Sequence, residues 1–382
     1  MTNKLNADQL AAADAFFQFL CNPEETCMVI TGKPGTGKTF LVEHLLAQLP
    51  HYAQPFKLLW GDEPGWLRHV KATATTNQAA QVLADTLQQE EAKTIYSHLG
   101  LRIKENYKTG GLDIDTSRAS IQQGQLLIVD EASYVTDQLL DNILRYTHNC
   151  KILFLGDKYQ LTMPFSKSCP VFERGFRTAV LTISERTRAI GGNDSLIARM
   201  AEAYCAAIDG APFPVLETDG KTIIAISGPE FKQLVNAEFS RPERKDTDAK
   251  ILAWSNKTVQ AYNQYVRCEL LGYVEAPQVG ETVISNSTLL DYGITTDQRY
   301  QITQVNVSAL QGFEGWQVTL GQRRTVFVPR DWAAVNATLK QLYKEKNFHR
   351  YFGIRKAFAD LRSPYAGTVH KAQGSTFHTV FL

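Results

Sequence analysis

The sequence predicts an α/β protein built on parallel sheets, and three observations carry that expectation. Gly32-Lys33-Pro34-Gly35-Thr36-Gly37-Lys38-Thr39 fits the pattern G-x-x-x-x-G-K-[ST]. It lies between the apolar run Met28-Val29-Ile30-Thr31 and a segment from Phe40 to Leu49 whose leucines (Leu41, Leu45, Leu46, Leu49) have helical spacing. Two further apolar runs of strand length, Leu126 to Val129 and Lys151 to Leu155, end in Asp130-Glu131 and in Gly156-Asp157-Lys158-Tyr159-Gln160. Past about residue 190 the alternation of helical and strand-like segments begins again. Strands alternating with helices make parallel sheets, whose ligands lie at the strand carboxyl ends.

Composition limits the function. A chain of 382 residues is long enough for two or three domains with real cores. With 40 Lys and Arg against 39 Asp and Glu it is not a globally basic nucleic-acid coat, so any nucleic-acid site must be a local groove. Cys21, Cys27, Cys150, Cys169, Cys205 and Cys268 form no C-x-x-C pair, which argues against a zinc site and for a reducing compartment. No apolar stretch reaches membrane-span length and no signal peptide is recognisable, so a cytoplasmic, non-membrane protein is expected.

In chain order, Asn6-Ala7-Asp8-Gln9 opens a helix running to about Leu20. Gln9 reads equally as the partner in a capping box and as an adenine-reading glutamine upstream of the phosphate loop. In that loop, glycines let backbone N–H groups close around phosphate oxygens at a helix start, Lys38 would bridge the β- and γ-phosphates, and the Thr39 hydroxyl would hold Mg²⁺. Val70 to Ala74 reads as a strand followed by Thr75-Thr76-Asn77-Gln78, a turn suited to phosphate oxygens but, taken alone, more often an ordinary N-cap. Residues 94–123, with Tyr96, His98 and Gly110-Gly111, read as a small insertion carrying a hairpin. Asp130 would hold Mg²⁺ and Glu131 would activate the attacking water, while Gln160 and Arg186 are candidates to touch the γ-phosphate.

In the second half, a strand is expected at Ile223 to Ile226 and another at Ile251 to Trp254, followed by Ser255-Asn256-Lys257 and a helix to about Leu271. Residues 276–332 change to short alternating strands with glycine turns and read as a small β-barrel inserted in the second α/β domain. Lys340 to Arg362 reads as helical, with seven Lys and Arg and the aromatics Tyr343, Phe348, Tyr351, Phe352 and Phe358. Such a segment can grip a nucleic-acid strand, though aromatics of this kind more often pack. The chain closes with Thr368-Val369-His370-Lys371-Ala372-Gln373-Gly374 and a strand at Val380-Phe381-Leu382.

Together these stretches resemble the RecD/Dda-type DNA helicases of superfamily 1, nearly end to end. The resemblance rests on Gln9, Gly32–Thr39, Thr75–Gln78, Asp130-Glu131, Gly156-Asp157 with Gln160, Arg186, Trp254–Lys257 and Thr368–Gly374. It implies two RecA-like P-loop domains, residues 1–190 and 191–382. The first carries the pin at about 94–123; the second carries an SH3-like barrel and helical insertion at about 276–363. It also implies ATP and Mg²⁺ as cofactors, and single-stranded DNA and duplex junctions as partners, with movement 5′ to 3′. A monomer serving replication or recombination proteins is expected. By family role, Gln9 meets adenine. Gly32, Pro34, Gly35, Thr36, Gly37, Lys38, Thr39 and Gly374 hold nucleotide. Thr39 and Asp130 serve the metal, and Lys38, Asp130, Glu131, Gln160 and Arg186 serve catalysis. Thr75, Thr76, Asn77, Tyr96, His98, Asn256, Thr368, His370 and Gln373 face DNA. Tyr96 stands where relatives usually carry a DNA-facing His, and Thr162 and Met163 replace the prolines after Gln160. The family's last Thr-Arg motif, just past the final strand, is not in the sequence. The expected function is an ATP-dependent DNA helicase that separates duplex DNA, with this chain binding ATP and single-stranded DNA but hydrolysing slowly and unwinding poorly for want of that motif; the alternative is a nucleotide-dependent single-stranded nucleic-acid-binding module with weak or no turnover.

Overall fold

The structure is a computed structural model. It describes residues 5–61, 64–87, 93–160, 169–183, 195–245, 248–274, 276–321, 323–373 and 375–382, apart from the side chains of residues 59, 60, 78 and 290. The chain divides into two compact units, residues 1–103 with 114–225 and residues 104–113 with 226–382.

The first unit is organised on a six-stranded parallel sheet. Its strands are β1 (Cys27–Gly32), β2 (Val70–Ala74), β3 (Lys93–Thr94), β4 (Leu126–Asp130), β5 (Lys151–Gly156) and β6 (Arg177–Leu181). Their spatial order is β6-β1-β5-β4-β2-β3. The apolar runs are continuous because both faces are covered. Met28, Ile30, Ile128, Leu153 and Leu155 pack on one face with Phe16, Phe19, Leu41, Leu45 and Phe56. Cys27, Val29, Leu127, Val129, Ile152 and Phe154 point to the other face, against Leu139, Leu140 and Ile143. The chain leaves β1 toward β2 on one side and leaves β5 toward β6 on the other. The gap beyond the carboxyl ends of β1 and β5 is therefore the switch point where an open α/β sheet binds ligands.

Two sequence expectations change here. The helix after the phosphate loop extends well past the Phe40 to Leu49 segment, running from Lys38 to Trp60 through Pro50 and Pro55. Packing overrides the two lost N–H donors: Phe56 is buried, and Tyr52 and Ala53 lie against the same core as Leu45 and Leu49. Residues 223–226 form no strand. Asp219 instead closes a turn, its Oδ1 accepting from the N–H groups of Lys221, Thr222 and Ile223, and Ile224 is left exposed without a strand beside it.

The second unit holds a three-stranded parallel sheet, with Ala249–Ala253 between Ala366–Thr368 and Thr379–Phe381. Val235, Phe239, Ile251, Val259 and Phe381 form its core. A five-stranded antiparallel sheet follows the order Arg324–Pro329, Phe313–Leu320, Arg299–Leu310, Thr282–Ser285, Leu361–Arg362. The Ala359 N–H donates to the Phe327 carbonyl at 2.8 Å, so the segment that pairs with Thr282–Ser285 also bridges to the opposite edge and closes the sheet on itself. Its interior is Val283, Ile294, Ile302, Val318, Leu320 and Val326.

The expected helical stretch at 340–362 is two helices, Trp332–Lys344 and Phe348–Ala357, broken where Lys346 adopts φ 57°. Phe348, Phe352 and Phe358 are buried, the packing outcome for those aromatics. What they pack against includes the hairpin tip at 104–113. Tyr107 meets Phe352 edge-on at 5.1 Å, Glu105 pairs with Lys356 at 3.1 Å, and the Tyr343 hydroxyl donates to the Thr109 carbonyl at 3.3 Å. Gly110, at φ 75°, lies so close that a Cβ there would come within 2.5 Å of the Phe348 and Tyr343 rings.

Candidate nucleotide site and the carboxyl ends of the two sheets

The phosphate loop follows β1 directly. Gly35 and Gly37 take φ of 86° and 78°, values that favour glycine, and Gly37 caps the helix that begins at Lys38. A Cβ on Gly32 would come within 2.9 Å of Thr36 Oγ1 and of Leu181, so only glycine lets the loop leave the sheet here. Thr36 is buried and its hydroxyl donates to the Lys33 carbonyl at 2.9 Å. The Lys38 ammonium donates to the carbonyls of Gly32 (2.6 Å) and Lys33 (3.3 Å), folded back on its own loop. Thr39 is half-buried in the helix's first turn, and Pro34 is exposed.

Gln9 is the capping-box partner that one of its two readings expected. Its N–H and side chain complete the capping box with Asn6, and its Nε2 donates to the Thr36 carbonyl at 3.2 Å, with the residue 2% exposed. The N-terminal helix thus buttresses the phosphate loop, a contact that spacing alone did not reveal.

At the end of β4, Asp130 Oδ1 accepts from the Glu131 N–H at 2.8 Å. Glu131 sits at φ 54°, ψ 46°, a left-handed conformation that costs a non-glycine residue about 1–2 kcal/mol. Its neighbours fix it there: the Thr75 N–H and Oγ1 donate to the Asp130 and Glu131 carbonyls, and the Tyr134 N–H donates to the Glu131 carbonyl. Burial raises the Glu131 carboxyl to about 7; the charge of Asp130 pushes the same way, and the Lys38 ammonium opposes both. Burial also raises Asp130.

Past β5, Asp157 is 2% exposed, raised by burial, and accepts from the Tyr159 N–H at 2.9 Å. It belongs to the same electrostatic group as Glu131 and Lys38, although sequence reasoning left it out of the site. An acid directly after the terminal glycine of a fully buried strand was the available signal. Gln160 Oε1 is buried without a hydrogen-bond partner, and an unsatisfied buried acceptor marks a place for a donor such as water. Arg186, Thr162, Met163 and Gly374 lie outside the described residues.

The residues expected to face DNA separate into groups. Thr75 supports Glu131, and Thr76 caps the helix Asn77–Thr86 by accepting from the Ala79 N–H; Asn77 is exposed at its start. Tyr96 packs against the core of the first unit, and His98 Nε2 is 3.1 Å from Gln125 Oε1, with burial lowering its pKa. In the second unit, Thr368 caps the helix Val369–Ala372, Asn256 Oδ1 accepts from Arg362 at 2.8 Å, and His370 meets the Trp254 ring at 5.8 Å. Lys371 bonds Asn286 and Asp297 at 2.7 and 2.8 Å, tying the Thr368–Gln373 segment to the antiparallel insertion.

No cluster of three His, Cys, Asp or Glu side chains that could hold a metal occurs among the described residues. Thr39 and Asp130 are the donors present, which suits Mg²⁺: this ion uses one or two protein oxygens, substrate phosphates and water. The paired glycines and the lysine at the helix start fit the phosphates of a nucleoside triphosphate, and the unpartnered Gln160 oxygen fits a water beside them.

The first unit is therefore a P-loop α/β domain. Residues 4–164 match the AAA domain family, and no curated protein matches the chain. Among solved structures, one of two coordinating Pif1 helicases at forked double-stranded DNA is 16% identical, covering 99% of this chain and 85% of that one, with a TM-score of 0.49. A Pif1 helicase from Bacteroides with ADP-AlF3 and single-stranded DNA is 14% identical over 97% and 85%, TM-score 0.46. The Candida albicans Pif1 helicase is 15% identical over 97% and 87%, TM-score 0.40. No described helix is long and apolar enough to cross a membrane.

Proposed function

We propose that the chain is an ATP-driven DNA helicase that moves on single-stranded DNA, 5′ to 3′ as its resemblance to the RecD/Dda type implies. The observation that carries this reading is the convergence of Lys38, Asp130, Glu131, Asp157 and Gln160 on the carboxyl ends of β1, β4 and β5. A module that only binds nucleotide has no chemical use for a buried carboxyl raised to about 7. In the proposed reaction the loop N–H groups and Lys38 would hold the phosphates, and Thr39 and Asp130 would hold Mg²⁺, which would supply positive charge to the phosphate oxygens. Gln160 orients the attacking water through Oε1, and Glu131 accepts its proton. Gln9 keeps the loop in shape. The insertion at 94–123 serves as the strand-separating pin, and the Thr368–Gln373 segment with Asn256 meets the strand.

The test is ATP hydrolysis with and without an oligothymidylate, paired with unwinding of forks carrying a 5′ or a 3′ single-stranded tail. Stimulated hydrolysis and opening of the 5′-tailed fork are expected. Hydrolysis indifferent to the oligonucleotide, with neither fork opened, overturns the proposal; opening of only the 3′-tailed fork overturns the polarity.

A further inference from the structure

The second parallel sheet ends in an aromatic that nothing in the catalytic reading uses. Trp254 follows the central strand Ala249–Ala253 and is 79% exposed. Tryptophan is highly buried on average, and the other described tryptophan side chains obey that tendency. Trp66 is 4% exposed, and Trp316 and Trp332 pack against cores of the second unit. The exposure is built in rather than a loose end. The backbone before Trp254 is paired, Ala253 lying in register with Thr368 of the neighbouring strand. The backbone after it is fixed by Ser255, whose side chain accepts from the Thr258 N–H to cap the helix Asn256–Gln264. His370, two residues past Thr368, meets the indole at 5.8 Å and 55°, and the ring stays accessible.

The surroundings select the kind of ligand. Ser255, Asn256 and Lys257 after the ring are polar and exposed, so the indole is a single π surface among a hydroxyl, an amide and an ammonium. A protein partner would need a contiguous apolar patch. One flat aromatic beside a cation and the N–H groups of a helix start matches a base with its phosphate. Lys257 makes no ion pair with a described residue, whereas Lys371 and Arg362 are engaged with Asp297 and Asp360.

We propose that Trp254, beside His370, is a stacking platform for one nucleobase, with Lys257 placed for the adjoining phosphate. The inference rests on the proposed helicase function, which supplies that chemistry as a base of the bound single strand. Base–aromatic stacking is worth about 1–3 kcal/mol, so losing the ring should weaken binding of the stacked ligand roughly 5- to 150-fold.

The experiment uses the full chain and its Trp254→Phe and Trp254→Ala variants, with a labelled twelve-residue oligothymidylate and Mg-ADP as probes. Affinities come from anisotropy and calorimetry, and stacking from tryptophan emission. The expected result is that the oligonucleotide quenches wild-type emission and that Trp254→Phe removes this quench while binding within about threefold of wild type. Trp254→Ala should lose at least fivefold in affinity at an unchanged melting temperature. Quenching and weakening confined to Mg-ADP overturn the strand platform. If both probes bind wild type, yet neither quenches and Trp254→Ala binds both equally well, the platform is wrong while the helicase reading stands. If neither probe binds the wild-type chain, both fall.

Discussion

The carboxyl ends of the two parallel sheets carry different chemistry. At the end of the first, side chains are wired to the loops that bear them: Lys38 to the carbonyls of Gly32 and Lys33, Thr36 to Lys33, Asp130 to the next N–H, Asp157 to Tyr159. Two of those loops end in buried acids. At the end of the second sheet the described residues include Thr368, Asn256, Gln373, two rings and two lysines, and their bonds reach into the insertion, Lys371 to Asn286 and Asp297 and Asn256 to Arg362. In the proposed reaction the first end holds the groups that move protons, while the second contacts the strand and is tied to a separate sheet. One kind of scaffold thus supports two jobs, distinguished by which residues follow the strands.

The largest effect that would break this contrast is at Lys38. Lys38→Ala should lower ATP hydrolysis by roughly 10²–10³-fold, as loss of a transition-state cation or donor does elsewhere, with the fold intact because its bonds to the Gly32 and Lys33 carbonyls are local to the loop. Steady-state hydrolysis with a circular dichroism melt checks both halves; wild-type turnover would mean that the first end is not the reaction site.

Next is Glu131. Glu131→Gln should reduce turnover by about 10²–10⁴-fold, the usual worth of a positioned general base, while nucleotide still binds. The base works ionised, so wild-type turnover should rise through pH 7 and the residual rate of the variant should not follow that profile. Stability gives a second readout. With the folded carboxyl raised from 4.5 to about 7, the native state holds the proton more tightly than the unfolded chain. The native fold is therefore favoured below pH 4.5 and loses that advantage as pH rises through 7. At pH 8 Glu131→Gln should be the more stable protein by about 1–3 kcal/mol, and at pH 4 nearly equal to wild type. Denaturant melts at the two pH values decide.

Gly110 sharpens the contrast from the packing side. Gly110→Ala should destabilise by about 1–3 kcal/mol, combining a left-handed φ with a Cβ driven into Phe348 and Tyr343. Gly312→Ala, also at positive φ but with open space around it, should cost only about 1 kcal/mol. Equal losses would mean that the hairpin tip is not seated on those rings.

The smallest effect is expected at Lys371, whose pair with Asp297 is partly exposed and worth about 0.2–1 kcal/mol. Lys371→Met should leave the melting temperature and basal hydrolysis nearly unchanged but reduce stimulation by DNA a few-fold. Unchanged stimulation would show that the link from the second sheet to its insertion carries nothing.

Much of this was legible because local pattern and tertiary role agreed. Buried parallel strands need continuous apolar runs, so β1, β4 and β5 announced themselves, and the phosphate loop needs glycines at fixed spacing. Long-range packing was not legible. The leucine spacing from Phe40 to Leu49 gave no sign that the helix runs on through Pro50 and Pro55, where buried Phe56 holds it to the core. The β-branched run Ile223-Ile224 looked like a strand, but no strand lies beside it. Lys151 read as an ordinary start of a strand. It is 5% exposed and donates to the carbonyls of Phe19, Asn22 and Glu25, more than a hundred residues away; burial lowers it to about 8. At the site, the residue types were visible. The left-handed backbone of Glu131 and the unpaired Gln160 oxygen are properties of neighbours, which no spacing encodes.

Gln9 has a consequence for the protein's motions. One amide group stitches the first turn of a helix to a loop 27 residues away, through Oε1 at 3.1 Å to the Asn6 N–H and Nε2 at 3.2 Å to the Thr36 carbonyl. Fraying at the chain's beginning is therefore felt as loosening of the phosphate cradle. In hydrogen exchange, the helix's opening turn and the loop around Thr36 should open as one cooperative unit, with matched protection. Glutamate in place of Gln9 keeps the acceptor and removes the donor, so it would separate the two and let the cradle exchange while the turn stayed closed.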